Sequence, residues 1–327
     1  MESKIVNENP LVTIITATYN LIKNNRKEHF IKMVESVKNQ DYPNIEHVII
    51  DGGSDDGSIE LFETLGLKYY SEPDNGIYDA FNKGIQKANG KYINFMNSDD
   101  YFNNLSAVTL SVKELEKHRA DFSFAKAIFV DDNDNFVRKY TTNIYGVFSR
   151  MPFCHQTMFT RTDVLKKEGM FDLNFKSASD YDLIIRLMIK RYKYCEVKQN
   201  IVSFRTFGES GINVRTSILE QLAIFKKIYS QFANLTDKEY NNIIICSTIP
   251  TKLLLALGIT NPLFYIINFL KLRKQIKKNI IQFKFSKDKG LEYFILFNKK
   301  IKPKPNEENN ELDSIERFIR HIEQQSF

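Results

Sequence analysis

The chain has 327 residues, 43% hydrophobic and 26% charged, which excludes an intrinsically disordered protein and leaves room for one large domain or a domain with an appendage. Its three cysteines, Cys154, Cys195 and Cys246, form no CxxC pair, so neither a zinc site nor a disulfide framework is indicated and reduced, cytosolic thiols are expected. The net charge of +6 is uneven: residues 271–304 carry twelve Lys and Arg against Asp288 and Glu292, a local balance of +10 that leaves the remainder at about −4.

The amino-terminal MESKIVNENP lacks the pattern of a secretory signal. Leu11–Ala17 is an apolar, β-branched run that reads as a strand. Phe30, Met33, Val34 and Val37 then recur at helical spacing. Ile45–Ile50, Leu67–Ser71 and Lys91–Met96 read as further strands, separated by helices over Ser58–Leu65 and Ile77–Ala88. Apolar strands alternating with amphipathic helices predict an α/β fold with a mostly parallel, Rossmann-like sheet covered on both faces. In such sheets ligands bind beyond the carboxyl ends of the strands, which points to Asp51 and to Asn97–Asp100. Asp121–Val130 and Asn135–Tyr140 flank a polar DDND turn and read as a hairpin. Cys154–Thr160 reads as another strand, and Asp180–Lys190 as a helix capped by Ser177 or Ser179.

Beyond about residue 215 the pattern becomes mainly helical. Leu253–Leu270 has no charged residue but contains Gly258, Asn261 and Pro262, and basic residues follow it from Lys271. That pattern fits helices lying on an anionic membrane surface better than a span, and lipid better than nucleic acid, with two core helices of a soluble domain as the alternative. A loop, Pro303–Asn310, leads to an amphipathic helix with Leu312, Ile315, Phe318, Ile319 and Ile322, a candidate dimer contact. The expected organisation is a catalytic domain over 1–214, a helical basic and apolar region over 215–302, and a linker with a terminal helix over 303–327.

Three constellations carry chemistry. Asp51 opens DGGSDDGS, residues 51–58: a carboxylate at a strand end followed by two glycines can meet a flat ring, and it can accept from the imide N–H of uracil. The same loop has Ser58 where a phosphate loop needs lysine, and no GxGxxG is present, so neither fingerprint applies. Asn97-Ser-Asp-Asp100 sets two carboxylates side by side at a strand end, which a hard divalent cation would neutralise while keeping positions open for phosphate oxygens. Asp180 begins a helix, where the macrodipole favours a carboxylate able to take a hydroxyl proton as general base.

Taken in order, these motifs resemble the family-2 glycosyltransferases, inverting enzymes of GT-A fold. The resemblance rests on Thr16-Ala-Thr-Tyr-Asn20, on IIDGGSDDGS at 49–58 and on EPDNGIYDAFNKGIQKANGKYINFMNSDD at 72–100, then on FCHQTMFTRTDVLKKEGMFD at 153–172 and SDYDLIIRL at 179–187. It runs over roughly residues 10–210 and looks closest to the branch of capsule, O-antigen and exopolysaccharide synthesis. The resemblance implies that Thr16, Thr18 and Asn20 border the nucleotide, that Asp51 contacts uracil, and that Asn82 lies near ribose and sugar. It further implies that Asn97 and Asp99 meet the donor, that Asp99 and Asp100 hold Mn²⁺ or Mg²⁺, and that Asp180 is the base. Asn97 stands where the metal motif usually opens with Asp, and Ser179 where an acid often precedes the base. His155, Gln156 and Arg205 are further candidates for acceptor or phosphate contact.

The implied activity is transfer of a hexose or N-acetylhexosamine from a UDP-sugar to a glycan or lipid-linked acceptor at the cytoplasmic face of the inner membrane. A nucleotidyltransferase is disfavoured, because TATYNLIKNN offers no basic glycine-rich loop. A degenerate glycan- or nucleotide-binding module without turnover is the alternative.

Overall fold

The fold is built on strands buried on both faces. In this computed structural model, residues 9–206, 214–247 and 249–258 are described, and 281–286, 290–296 and 299–301 by their backbone. The chain divides into two units, Met1–Asn143 with Phe153–Asn213, and Ile144–Pro152 with Val214–Phe327.

The first unit is organised by a nine-stranded sheet. Its parallel half comprises β1 (Val12–Thr18), β2 (Ile45–Asp51), β3 (Lys68–Ser71) and β4 (Tyr92–Phe95), in the order β3-β2-β1-β4. Val12, Ile14 and Ile15 of β1 are wholly buried, as a central strand covered on both faces requires. The helices α1 (Lys27–Lys38), α2 (Ser58–Thr64) and α3 (Ile77–Lys87) connect these strands. Phe30, Met33, Val34 and Val37 form the buried stripe of α1, as their spacing predicts. α3 lies close on β1 because Gly84 has no side chain: an added Cβ would come within 2.5 Å of Ile15 Cγ2.

The sheet continues through β8 (Phe159–Arg161), antiparallel to β4, then β6 (Phe122–Val130), β9 (Tyr194–Arg205) and β5 (Tyr101–Phe102). The expected hairpin is present: β7 (Phe136–Tyr140) pairs antiparallel with β6. Helices α4 (Ala107–His118), α5 (Thr162–Lys167) and α6 (Ser179–Ile189) complete the unit. α4 and β9 have no counterpart among the elements expected from the sequence. In β9 the polar Lys198-Gln-Asn200 interrupts the apolar run, at the point where the β6 pairing shifts register twice. The Cys154–Thr160 stretch is not one strand. A 3-10 turn occupies His155–Thr157, tightened by the Thr157 hydroxyl, which bonds the Cys154 and Ala125 carbonyl oxygens at 2.7 and 3.0 Å. Ala178, rather than a serine, takes the N-cap of α6, with no side-chain capping bond.

At the amino-terminal edge of the parallel strands, Glu46 joins three elements. It accepts from Thr13 Oγ1 at 2.8 Å, from Lys68 Nζ at 2.7 Å, and from the Asn89 amide groups at 3.0 and 2.8 Å. Burial pushes this carboxyl up, but these hydrogen bonds together outweigh burial and hold it at about 2. A depressed carboxyl contributes stability that is complete above its unfolded value, near 4.5, and is lost as pH falls through about 2. The Lys68 partner is 43% exposed, so solvent screening takes up much of that shift, and we expect Glu46→Gln to cost about 1 kcal/mol at pH 7. Urea titrations of both proteins should show the gap narrowing below pH 4.5, and a gap independent of pH would contradict this account.

In the second unit, helices Val214–Tyr229, Asp237–Cys246 and Thr251–Ala256 meet the helical expectation. Thr236 and Glu239 form a reciprocal capping box at the second of them, and the buried Tyr229 hydroxyl donates to the Phe148 carbonyl at 2.8 Å. Residues 281–286, 290–296 and 299–301 instead form an antiparallel three-stranded sheet. Ile281, Phe283 and Phe285 alternate with polar residues, a strand period inside a stretch read as helical. Among the described residues no helix is long and apolar enough to cross a membrane. Residues 259–270 of the apolar stretch and the terminal amphipathic segment lie outside the described residues.

Candidate active site

The carboxyl ends of β1, β2 and β3 bring Thr18, Asp51 and Ser71 abreast, because the parallel register pairs Thr18 with Asp51 and Asp51 with Ser71. Asp51 is fully buried, and its carboxylate accepts five hydrogen bonds. Thr18 Oγ1 donates at 3.1 Å and Ser71 Oγ at 2.7 Å. The Gly53 and Ser54 amides donate at 3.0 and 2.7 Å, and Ser54 Oγ at 2.5 Å. Asp51 therefore organises the 51–58 loop with every oxygen engaged, rather than presenting a free carboxylate to a base. Asn20, left-handed at φ 48°, stitches the first loop to the same structure: its N–H donates to Ser54 Oγ at 2.8 Å and its Oδ1 accepts from the Asp55 N–H at 3.2 Å. At Gly52 the Asp74 carboxylate fills the space a side chain would take, its Oδ2 lying 2.8 Å from an added Cβ, so a larger residue would displace Asp74. Between buried Thr18 and Asn20, the Tyr19 ring is 60% exposed and offers an aromatic face at this edge.

The Asn97–Asp100 loop follows β4, and its two carboxylates have different surroundings. Asp100 is buried and accepts from the Arg205 N–H at 2.8 Å, Gln156 Nε2 at 2.6 Å and Asn97 Nδ2 at 3.1 Å. Burial, and then the neighbouring Asp99, push this carboxyl well above the usual range, against the pull of those hydrogen bonds. Gln156 in turn accepts from Cys154 Sγ at 2.6 Å. Asp99 is instead paired with Arg26, NH1 to Oδ2 at 2.8 Å. Asn97 Oδ1 is buried without a hydrogen-bond partner.

No three His, Cys, Asp or Glu side chains converge among the described residues. The oxygen donors still suit a hard cation that takes one protein carboxylate and shares phosphate oxygens. Asp99 fits that role, with the orphaned Asn97 Oδ1 on the same loop, whereas Asp100, expected as a second ligand, is consumed by protein donors.

Asp180 opens α6 and is held on both oxygens. Oδ1 accepts from the Tyr78 hydroxyl at 3.0 Å and from the Tyr181 N–H at 2.8 Å, and Oδ2 lies 3.1 Å from His155 Nδ1. His155 Nε2 is buried without a partner, so the pairing requires a proton on Nδ1. Tyr78, the second residue of α3, stacks on Phe171 at 5.3 Å, and Phe81 and Phe95 complete an aromatic support. A carboxylate so oriented can accept a proton from a hydroxyl placed beside it.

Other expected contacts are turned inward. Thr16 is wholly buried, its Oγ1 lying 3.1 Å from His47 Nε2 and 3.7 Å from Met33 Sδ. Asn82 clamps the Phe171 backbone through Nδ2 and Oδ1, both at 2.9 Å. Arg205 is 1% exposed and is spent on the carbonyl oxygens of Asp99 and Asp131, at 3.2 and 2.6 Å, and on Asp134 at 2.8 Å. Gln156 is a buried lock on Asp100. Tyr19, Arg26 and Tyr78 were missed. Tyr19 and Tyr78 lie inside the quoted motifs and Arg26 outside them, and the local sequence names the partners of neither Arg26 nor Tyr78.

Comparison with known proteins bears on the family and the fold. The model of glycosyl transferase family 2 matches residues 13–178. An uncharacterized glycosyltransferase of Mycobacterium tuberculosis is 30% identical over 186 residues, 54% of this chain and 68% of that protein. A PGL/p-HBAD biosynthesis glycosyltransferase of Mycobacterium bovis is 24% identical over 187 residues, 54% of this chain and 71% of its own. S. aureus TarS 1-349 in complex with UDP-GlcNAc superposes with a TM-score of 0.56 at 17% identity, covering 91% of this chain and 100% of that one. The mannosyltransferase PcManGT from Pyrobaculum calidifontis, in complex with GDP-Man and Mn2+, gives a TM-score of 0.56 at 14% identity over 84% and 77% of the two chains. The two structures establish the shared GT-A-like fold.

Proposed function

This chain belongs to glycosyl transferase family 2, and from that premise we propose an inverting transfer of a hexose or N-acetylhexosamine from a UDP-sugar to a hydroxyl of a glycan or lipid-linked oligosaccharide in bacterial surface polysaccharide synthesis. The observation that carries it is the carboxylate of Asp180, held by Tyr78 from the start of the helix that follows β3 and by His155 from the turn before β8. Asp180 takes the proton of the acceptor hydroxyl as its oxygen attacks the anomeric carbon. The bond from that carbon to the diphosphate oxygen breaks on the opposite face, so an α-linked donor gives a β-linked product. Tyr78 and His155 keep the base in one orientation, which supplies the positioning part of the rate. Asp99 and Asn97 would hold Mn²⁺ or Mg²⁺, which when bound neutralises charge on the leaving diphosphate. Thr18, Asn20 and Asp51 shape the nucleotide edge, and the exposed Tyr19 ring is suited to stacking on the base.

Donor turnover tests this reading. NMR should show UDP released from UDP-hexose or UDP-N-acetylhexosamine when a glycan or glycolipid acceptor fraction is added. A donor that binds and is never consumed would favour the binding module, for which Asn97 and Ser179 are the departures that speak.

The basic segment 271–304 supports work at the cytoplasmic face of the inner membrane. The full chain should float with anionic vesicles at low salt and lose flotation when Lys271, Arg273 and Lys274 are neutralised. Failure to float with any vesicle would remove the membrane from the account.

A further inference from the structure

Arg26 connects the first loop to the metal-motif loop. It is the N-cap of α1, and its backbone is fixed: its N–H donates to the Leu21 carbonyl at 2.7 Å, and its carbonyl accepts from the Phe30 N–H at 2.9 Å. Left-handed Asn20 and Asn25 bend the chain so that the guanidinium reaches Asp99, 73 residues away. The pair is only partly covered, with 29% of the Arg26 side chain and 15% of the Asp99 side chain exposed.

The neighbouring charges are otherwise committed. Arg205 and Lys32 both pair with Asp134, at 2.8 and 2.7 Å. Burial, with Arg205 and Arg26 adding to it, holds the His29 imidazole below its usual value. Asp100 has three protein donors. Arg26 is therefore the guanidinium that neutralises Asp99, and it bonds one oxygen of the carboxylate that would serve a divalent cation.

We propose that Arg26 is an exchangeable counter-ion and a binding residue for the diphosphate of the donor. This rests on the function proposed above. Without donor, the guanidinium neutralises Asp99. When a nucleoside diphosphate arrives with its cation, Asp99 passes to the cation and the released guanidinium turns to the phosphate oxygens. Chemistry favours the exchange in both halves: a planar guanidinium fork matches phosphate oxygens in pairs, and a partly buried carboxylate left without a counter-charge is costly. No bond is made or broken covalently.

The exchange predicts effects of opposite sign from one substitution. Arg26→Gln removes the competitor from Asp99, so Mn²⁺ alone, followed by the EPR signal of the free ion, should bind about tenfold more tightly than to the unmodified chain. The same substitution removes a diphosphate contact, so UDP at saturating Mn²⁺, followed by calorimetry, should bind about tenfold more weakly. Arg26→Lys keeps the charge and loses the fork. It should leave Mn²⁺ binding near that of the unmodified chain and give an intermediate UDP affinity.

A merely structural role would weaken both ligands together, and that result overturns the proposal. So does the absence of any gain in Mn²⁺ binding, whether both proteins bind it equally or neither binds it. UDP affinity unchanged in Arg26→Gln overturns it as well. The unmodified chain separates the two levels: if it binds neither UDP nor GDP with Mn²⁺, the proposed function fails too, whereas if it binds UDP and Arg26→Gln does the same equally well, only the exchange fails.

Discussion

Asp180→Asn is expected to reduce donor turnover by about 10³-fold while leaving nucleotide affinity within a factor of two or so, because general-base contributions run from roughly 10² to 10⁴. The substitution keeps the shape and can keep the Tyr78 and Tyr181 hydrogen bonds through the amide oxygen. It loses the acceptor that His155 Nδ1 requires or, with the amide turned, meets the Tyr181 N–H with a donor. The proton has nowhere to go in either orientation. Steady-state kinetics on saturating donor would show a fall in kcat with little change in the nucleotide inhibition constant. Turnover within tenfold of the unmodified chain would remove Asp180 from the base role and leave it as a brace for α3 and the His155 turn.

The second large effect is expected at Asp51, and on stability first. Asp51→Ala deletes the acceptor of five hydrogen bonds at a fully buried position. Three hydroxyls and two backbone amides then need new partners. Each unsatisfied buried group costs on the order of 1–3 kcal/mol, and partial relaxation brings the expected total to about 3–4 kcal/mol. Urea unfolding at neutral pH measures it. The 51–58 loop should loosen as well, so UDP binding should fall together with stability. A stable Asp51→Ala protein, within ~0.5 kcal/mol of the unmodified chain, that has lost UDP binding would return Asp51 to direct contact with the base. The same loop explains why a carboxylate stands here. Thr18 and Ser71 are its neighbours in register, and both bring donors, so an acceptor with two oxygens is the group that satisfies the sheet edge.

How much of this was legible follows from where each residue's partners lie. β1, β2 and β4 could be read because strands covered on both faces are continuous apolar runs, and α1 because Phe30, Met33, Val34 and Val37 mark one face. Asp180 at a helix start could be read because the helix has its own period. The inward turn of Thr16, Asn82, Gln156 and Arg205 could not. Each is a polar residue in or near a motif, and a buried polar residue must find partners that the local sequence does not name. Arg205 bonds the Asp99 carbonyl 106 positions away, and Tyr78 bonds Asp180 at a separation of 102. Such pairs are set by the sheet order β4-β8-β6-β9, which no local pattern encodes. The 3-10 turn at His155 was hidden for a related reason. Apolar Cys154, Met158 and Phe159 flank it as they would in a strand, whereas the turn is closed by the Thr157 and Met158 N–H bonds to the Cys154 and His155 carbonyl oxygens and anchored by the Thr157 hydroxyl on Ala125. Strands at 281–301 were obscured by the surrounding basic residues, although the alternation itself was visible.

The account depends on this sheet edge being a nucleoside-diphosphate site assisted by a divalent cation. The most direct measurement is the thermal shift of the purified chain with UDP, GDP, CMP or ADP, each with Mn²⁺ or with EDTA. A ligand present at a hundred times its Kd should stabilise the native state by about 2.7 kcal/mol, a readily measured rise in Tm. The account predicts a rise with UDP and Mn²⁺ that disappears with EDTA and in Asp99→Ala. A rise with GDP and Mn²⁺ alone would keep the transferase and change the donor, whereas no rise with any nucleotide, with or without Mn²⁺, would contradict the account at its centre.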